Sequence, residues 1–286
     1  MDARGGRRPG RRDRREHARR GRRNSRCQDG RCRRGRPPGL AVTTARQSSV
    51  HLEPPRSADV PHPAHLVLHR LRPAAGVIVR RRWDLTIRGA EHVPTEGPVV
   101  IAANHIGFVD GPLMAIVAPR PVHVLAKHEM YHGSLGTFLN ASGQIPVERN
   151  GPDPAAVKTA LRVLRDGGAV GVFPEGTRGT GEVDRVKPGA AYLAMAAGAT
   201  VVPLVFLGTR LPGGSTNSVP PARSQFVMTF GEPLRVEHHR WPRRQPETHA
   251  LSGRIREALL ATLDEAQQAT GMTLPGPIPA TDKEIL

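Results

Sequence analysis

From Trp83 onward the chain alternates strand-length apolar runs with segments of helical period, and that rhythm constrains the fold more than any other feature. Residues 83–88, Val99–Ala103, 122–126, 169–173, Thr200–Leu207 and 224–230 read as strands. Asp153 followed by Pro154 reads as a helix start: the carboxylate caps the first free N–H groups and the proline ring fits the first turn. That helix runs to about Arg165 and stops at Gly167-Gly168. Residues 188–197 form a short helix ended by Gly198. Residues 248–269 form the clearest amphipathic helix, with Leu251, Ile255, Leu259, Leu263 and Ala266 along one face. Strands interleaved with helices imply an α/β fold in which a central sheet is covered on both faces.

Charge divides the chain. Residues 1–36 hold 16 arginines against 4 acids, whereas residues 37–286 hold 26 basic against 21 acidic residues. The formal net charge of +17 therefore describes mainly an N-terminal tail. Apart from its glycines and prolines, the tail's apolar residues are Met1, Ala3, Ala18, Cys27 and Cys32, too few to offset the entropy of ordering, so it reads as disordered. It lacks the apolar core of a signal peptide and the amphipathic period of a transit peptide. Three readings of it stand: a basic arm for anionic lipid or nucleic acid, an inert extension, and upstream sequence translated from a misassigned start. Residues 37–62, rich in Pro, Ser and Ala, read as linker. The domain is expected over 63–270, between a disordered extension over 1–62 and a loose tail over 271–286. Cys27 and Cys32 have no histidine pair at zinc-finger spacing, and the remaining chain has no cysteine, which fits a cytosolic protein.

No apolar run reaches the roughly 18–20 residues that span a bilayer, so a membrane role would be peripheral. Residues 65–82 read as one helix or as two halves interrupted at Pro73, with apolar residues flanked by Arg70, Arg72 and Arg80 to Arg82. Such flanks suit a helix lying in a membrane interface. An ordinary helix covering the core carries the same pattern.

Two polar clusters sit where strands end, the place where ligands bind in sheets of this kind. The first is Asn104-His105-Ile106-Gly107-Phe108-Val109-Asp110. An imidazole accepts a proton near neutral pH, and a nearby carboxylate would fix its tautomer and stabilise the imidazolium. No serine or cysteine stands beside His105 as a nucleophile, which leaves that place for a hydroxyl brought by a substrate. A capping aspartate beside a surface histidine would share this spacing. The second cluster is Phe173-Pro174-Glu175-Gly176-Thr177-Arg178-Gly179. Glycine lets an anion reach backbone N–H groups, and arginine forks two hydrogen bonds to phosphate. A plain strand-ending turn has the same composition.

In combination these residues resemble the 1-acylglycerol-3-phosphate acyltransferase family of glycerolipid synthesis. The first block, Asn-His-x4-Asp, is carried by Asn104, His105 and Asp110, with Gly107 where serine is common. The second is Gly143-Gln144-Ile145-Pro146-Val147-Glu148-Arg149, the third Phe173 to Arg178, and the fourth Val201-Val202-Pro203-Leu204. The four blocks stand in the family's order, and the resemblance spans about residues 64–265. The resemblance implies a mixed, mostly parallel sheet in a single domain, and an enzyme that moves an acyl chain from acyl-CoA or acyl-carrier protein to a lysophospholipid hydroxyl. It implies His105 as the base and Asp110 as its partner. Arg149 and Arg178 would hold the acceptor phosphate, Glu175 and Gly176 would shape that site, and Lys127 would add charge there. Asn104 and Thr177 complete the expected substrate contacts. Backbone N–H groups near the third block would stabilise the tetrahedral oxyanion. No metal or cofactor is implied. The expected place of work is the inner face of the cell membrane, on an anionic surface. Gly107 is expected to loosen the turn carrying Asp110.

Other readings weigh less. His128-Glu129-Met130-Tyr131-His132 fits the zinc-protease pattern, but no third ligand stands at a telling distance. The arginine tail suggests nucleic-acid binding, against which stand the few aromatics and the near balance of charge in the rest of the chain. A catalytically lapsed, lipid-binding relative is opposed by the intact His105, Asp110, Glu175 and Arg178.

Overall fold

The computed structural model describes residues 57–149, 151–240 and 244–282. The readings of the arginine tail and of Cys27 and Cys32 lie outside them. Seven strands form one sheet: β1 (Asp84–Arg88), β2 (Val99–Ala103), β3 (Val122–Lys127), β4 (Ile145–Val147), β5 (Ala169–Val172), β6 (Thr200–Leu207) and β7 (Gln225–Phe230), in the order β1-β7-β6-β2-β5-β3-β4. Every pair is parallel except β6 with β7, so the sheet is mixed and mostly parallel.

The central strands are apolar throughout because both faces are covered. On one face Val99, Ile101 and Ala103 of β2 pack with Leu113 and Met114 of α2 (Asp110–Val117), and with Leu68 and Val79 of α1 (Leu66–Arg82). On the other, Val100 and Ala102 meet Leu161 and Leu164 of α4 (Pro154–Arg165), Leu193 of α5 (Gly189–Ala197), and Ile255 and Leu259 of α6 (Gln245–Thr270). α3 (Gly133–Ala141) follows β3. Asp153 caps α4 as its sequence implies, accepting from the Ala156 N–H at 2.9 Å.

α1 is a single helix that contains Pro73. Leu68, Gly76 and Val79 face the core, and the Arg72 guanidinium reaches the carbonyls of Ile116 and Ala118. Leu66, Leu71, Val77 and Ile78 are nevertheless exposed, so the helix is apolar on two sides.

Segments read as linker and loose tail are tied down where the structure describes them. Arg162 and Arg165 of α4 donate to the Ala58 carbonyl and the Ser57 hydroxyl. After α6 the chain returns to the sheet, Leu274 packs against the core, and residues Ala280–Asp282 form a 3-10 turn with Asp282 buried.

Candidate active site

Because β2, β3, β4 and β5 run parallel, their carboxyl ends bring four loops to one edge of the sheet. β2 delivers His105, β3 ends at Lys127, Arg149 follows β4, and Phe173 to Arg178 follow β5.

Asp110, the first residue of α2, is fully buried and faces back into the loop before it. Its Oδ2 accepts from the Ile106 and Gly107 N–H groups at 2.8 Å and lies 2.9 Å from His105 Nδ1. A carboxylate can only accept, so Nδ1 carries the proton and Nε2 keeps its lone pair. Phe173 stacks on the imidazole, centroids 3.9 Å apart and planes 16° from parallel. Burial pulls the His105 pKa below its usual 6.5, against the opposing pull of Asp110, with Arg178 and Arg149 adding to the lowering. The ring is therefore neutral at neutral pH and can accept a proton.

The two loops are zipped through the backbone of the same histidine. Its N–H donates to Glu175 Oε1 at 2.9 Å, and its carbonyl accepts from the Gly179 N–H at 2.7 Å. Burial, with Asp110 and Asp184 nearby, pushes the Glu175 carboxyl up to about 7 although the His105 N–H opposes it.

Around Gly176 the surroundings are cationic. Arg149 donates to the Gly176 carbonyl at 3.1 Å, and its buried Nε has no partner among the described residues. Arg178 donates to the Thr216 carbonyl at 3.2 Å. Gly176 has φ +77°, and a Cβ there would stand 2.7 Å from Lys187 Nζ, so this lysine lies directly over the turn. Thr177 is exposed, and the N–H groups of Thr177 and Arg178 have no partner among the described residues. Lys127 stands on the strand next to Arg149 and pairs with Glu129 at 3.0 Å.

Two expectations change. Asn104 is fully buried and both ends of its amide are engaged by Phe206, Nδ2 donating to the carbonyl and Oδ1 accepting the N–H, so it joins β2 to β6. Gly107 does not loosen its turn: a Cβ there would meet the Thr209 carbonyl at 2.6 Å, so a side chain is excluded by close packing. Residues 128–132 form a 3-10 turn and then an extended His132, not the α-helix that would put both imidazoles on one face.

The structure also adds Phe173, Lys187, Thr216 and Asp282. Thr216, which holds Arg178, is itself held by Asp282, whose carboxylate accepts its N–H and the Ser215 hydroxyl. Phe173 lay within a recognised block, whereas the other three come together only in three dimensions.

Comparison with known proteins follows the same lines. Residues 84–207 match the profile of the family described as Acyltransferase. The chain is similar to the 1-acyl-sn-glycerol-3-phosphate acyltransferase of Bacillus subtilis (strain 168), 31% identical over 190 residues that cover 64% of this chain and 92% of that one. It is also similar to the protein of that name from Borreliella burgdorferi, 32% identical over 129 residues, with 44% and 52% covered. Its fold is like that of the crystal structure of PlsC, the 1-acyl-sn-glycerophosphate (LPA) acyltransferase from Thermotoga maritima, with a TM-score of 0.54, 20% identity, and 70% and 79% covered.

Proposed function

The chain belongs to the acyltransferase family that includes the 1-acyl-sn-glycerol-3-phosphate acyltransferases, and from that premise we propose that it acylates the sn-2 hydroxyl of 1-acylglycerol-3-phosphate to give phosphatidic acid. The donor is a fatty acyl thioester, acyl-CoA or acyl-carrier protein. What carries the reading is a neutral imidazole, fixed by a carboxylate at 2.9 Å, beside a turn surrounded by Arg149, Arg178 and Lys187.

His105 Nε2 takes the proton of the acceptor hydroxyl as its oxygen attacks the thioester carbonyl. Asp110 stabilises the imidazolium that forms. The N–H groups of Thr177 and Arg178 are suited to the oxyanion of the tetrahedral intermediate. Its collapse breaks the C–S bond, and the thiolate takes the proton back from His105. The acceptor phosphate sits against Arg149, Arg178 and Lys187, which places the hydroxyl without a covalent enzyme intermediate. No step calls on a metal or cofactor.

Among the described residues no helix is long and apolar enough to cross a membrane. The outward Leu66, Leu71, Val77 and Ile78 of α1, interleaved with Arg70, Arg80 and Arg81, suit docking on an anionic bilayer, the inner face of the cell membrane.

The test is transfer of a labelled acyl group to a panel of acceptors: 1-acylglycerol-3-phosphate, glycerol-3-phosphate, other lysophospholipids and a lipid-linked sugar. Lysophosphatidate should be preferred, and His105→Ala should abolish turnover while acceptor binding survives. Preference for another acceptor reassigns the substrate, and turnover retained in His105→Ala overturns the base.

A further inference from the structure

Arg210 is one of the largest fully buried side chains, and among the described residues no carboxylate stands within ion-pair distance of it, Asp282 and Asp110 acting on its charge only from further off. Burying a charge is costly, and an apolar residue would fill the same space more cheaply. Its partners show what the guanidinium does instead. Nε donates to the Ile106 carbonyl at 3.0 Å. Nη1 donates to Gly214 at 3.2 Å and Pro277 at 3.4 Å, and Nη2 to Gly179 at 3.2 Å and Gly276 at 2.8 Å. A guanidinium has five N–H donors, and here each has its own backbone carbonyl. The five carbonyls come from four separate parts of the chain.

The Ile106 carbonyl matters most. It belongs to the peptide whose N–H, on Gly107, binds Asp110. Gly179, at the other end of the fork, is the residue whose N–H holds the His105 carbonyl. The backbone next to Arg210 acts on the same loop, because the Thr209 carbonyl packs so close to Gly107 that no Cβ fits.

We propose that Arg210 is a positioning residue: it locks the loop 105–107 in the orientation that presents two N–H groups to Asp110, and thereby sets how firmly Asp110 holds His105. Through Gly276 and Pro277 the same fork makes the site depend on the segment after α6. The proposal rests on His105 being the base.

Lysine at 210 keeps the charge but has three donors on one nitrogen, so it cannot serve carbonyls on opposite sides of the fork. In Arg210→Lys, kcat for acyl transfer should fall at least ten-fold, with KM for donor and acceptor within two-fold of the parent. The groups facing His105 are Asp110, Glu175, Arg149 and Arg178, and Asp110 alone raises its basicity through a hydrogen bond to the ring. Loosening Asp110 should therefore move the acid limb of the kcat–pH profile to lower pH. A role confined to stability would lower the melting temperature and leave that limb in place. Should Arg210→Lys fail to fold, Gly107→Ala pushes the loop off Thr209 with the guanidinium retained, and should give the same fall in kcat and the same shift. An unshifted limb with kcat within two-fold of the parent, in whichever variant folds, overturns the proposal. His105→Ala is assayed alongside: if it remains active, the base assignment has failed rather than the role of Arg210.

Discussion

Replacing Asp110 by asparagine separates charge from geometry at this site. One oxygen of Asp110 takes all three hydrogen bonds, while Oδ1 is buried without a partner among the described residues. The amide oxygen of asparagine can therefore occupy the Oδ2 position and keep the bonds from His105, Ile106 and Gly107. The imidazole keeps its tautomer and the negative charge is lost, while the amide NH2 takes the place of Oδ1. Attraction between unit charges about 4 Å apart at an effective dielectric near 20 is ~4 kcal/mol. With the proton about half transferred in the transition state, ~2 kcal/mol of this is forfeited, roughly a thirty-fold fall in kcat. Stability should fall, because that NH2 brings two N–H donors to a buried position with no partner among the described residues, at about 1–3 kcal/mol each, and removal of the buried charge offsets this only in part. Asp110→Ala instead orphans the N–H groups of Ile106 and Gly107 and also frees the tautomer, so it should lose more activity than Asp110→Asn at a comparable cost in stability. The assay is thiol release from an acyl thioester with saturating lysophosphatidate, alongside thermal melts. Asp110→Asn within three-fold of the parent, or as inactive as Asp110→Ala, would refute this account of the carboxylate.

Four further outcomes are expected. The acid limb of the kcat profile should lie below pH 6.5, since burial lowers the His105 pKa and the base must be neutral; a limb above 6.5 contradicts the desolvated ring. Stability should respond to pH with opposed signs. His105, His69 and His123 are all lowered, so the unfolded chain takes up their protons first and stability falls as pH drops below 6.5. Glu175, raised to about 7 from 4.5, gains a proton first in the folded state and adds stability as pH falls through that window, so Glu175→Gln should steepen acid unfolding in melts between pH 7 and 4.5. Arg178→Ala and Lys187→Met should each raise KM for the phosphorylated acceptor about ten-fold or more and leave KM for the thioester unchanged, as initial-rate kinetics would show; an unchanged acceptor KM moves the phosphate elsewhere. Phe206→Ala, which empties a fully buried site in β6, should cost about 3–5 kcal/mol in denaturant titrations.

The central sheet was legible because its strands are buried on both faces and so read as unbroken apolar runs, Val99–Ala103 and Thr200–Leu207 above all. β4 was not, because Pro146 interrupts a strand of three residues, tolerated at the sheet edge where fewer backbone donors are needed. α2 escaped notice for a related reason: Asp110, Leu113, Met114, Ala115 and Val117 are all buried, so the helix lacks the polar face that produces a period. At the site, His105, Asp110, Arg149, Glu175 and Arg178 were legible as ordered blocks. Asn104 was misread because its amide is used on β6, about a hundred residues away. Arg210 gave no signal, since an arginine after a glycine-threonine turn looks like any surface cation until five carbonyls are found around it.

The pairing of β1 with β7 has a consequence for how the chain is made. β1 sits at the sheet edge, and its partner strand is the last to be synthesised, with Asp84 opposite Gln225. At roughly 5–20 residues per second, β1 and the helix before it emerge from the ribosome on the order of ten seconds before their neighbour exists. During that interval Leu85 and Ile87, which end against the core, have no sheet to join. The molecule cannot close vectorially from its beginning. Pairing across about 140 residues predicts slow folding and a period in which the first strand lacks the contacts that later cover it.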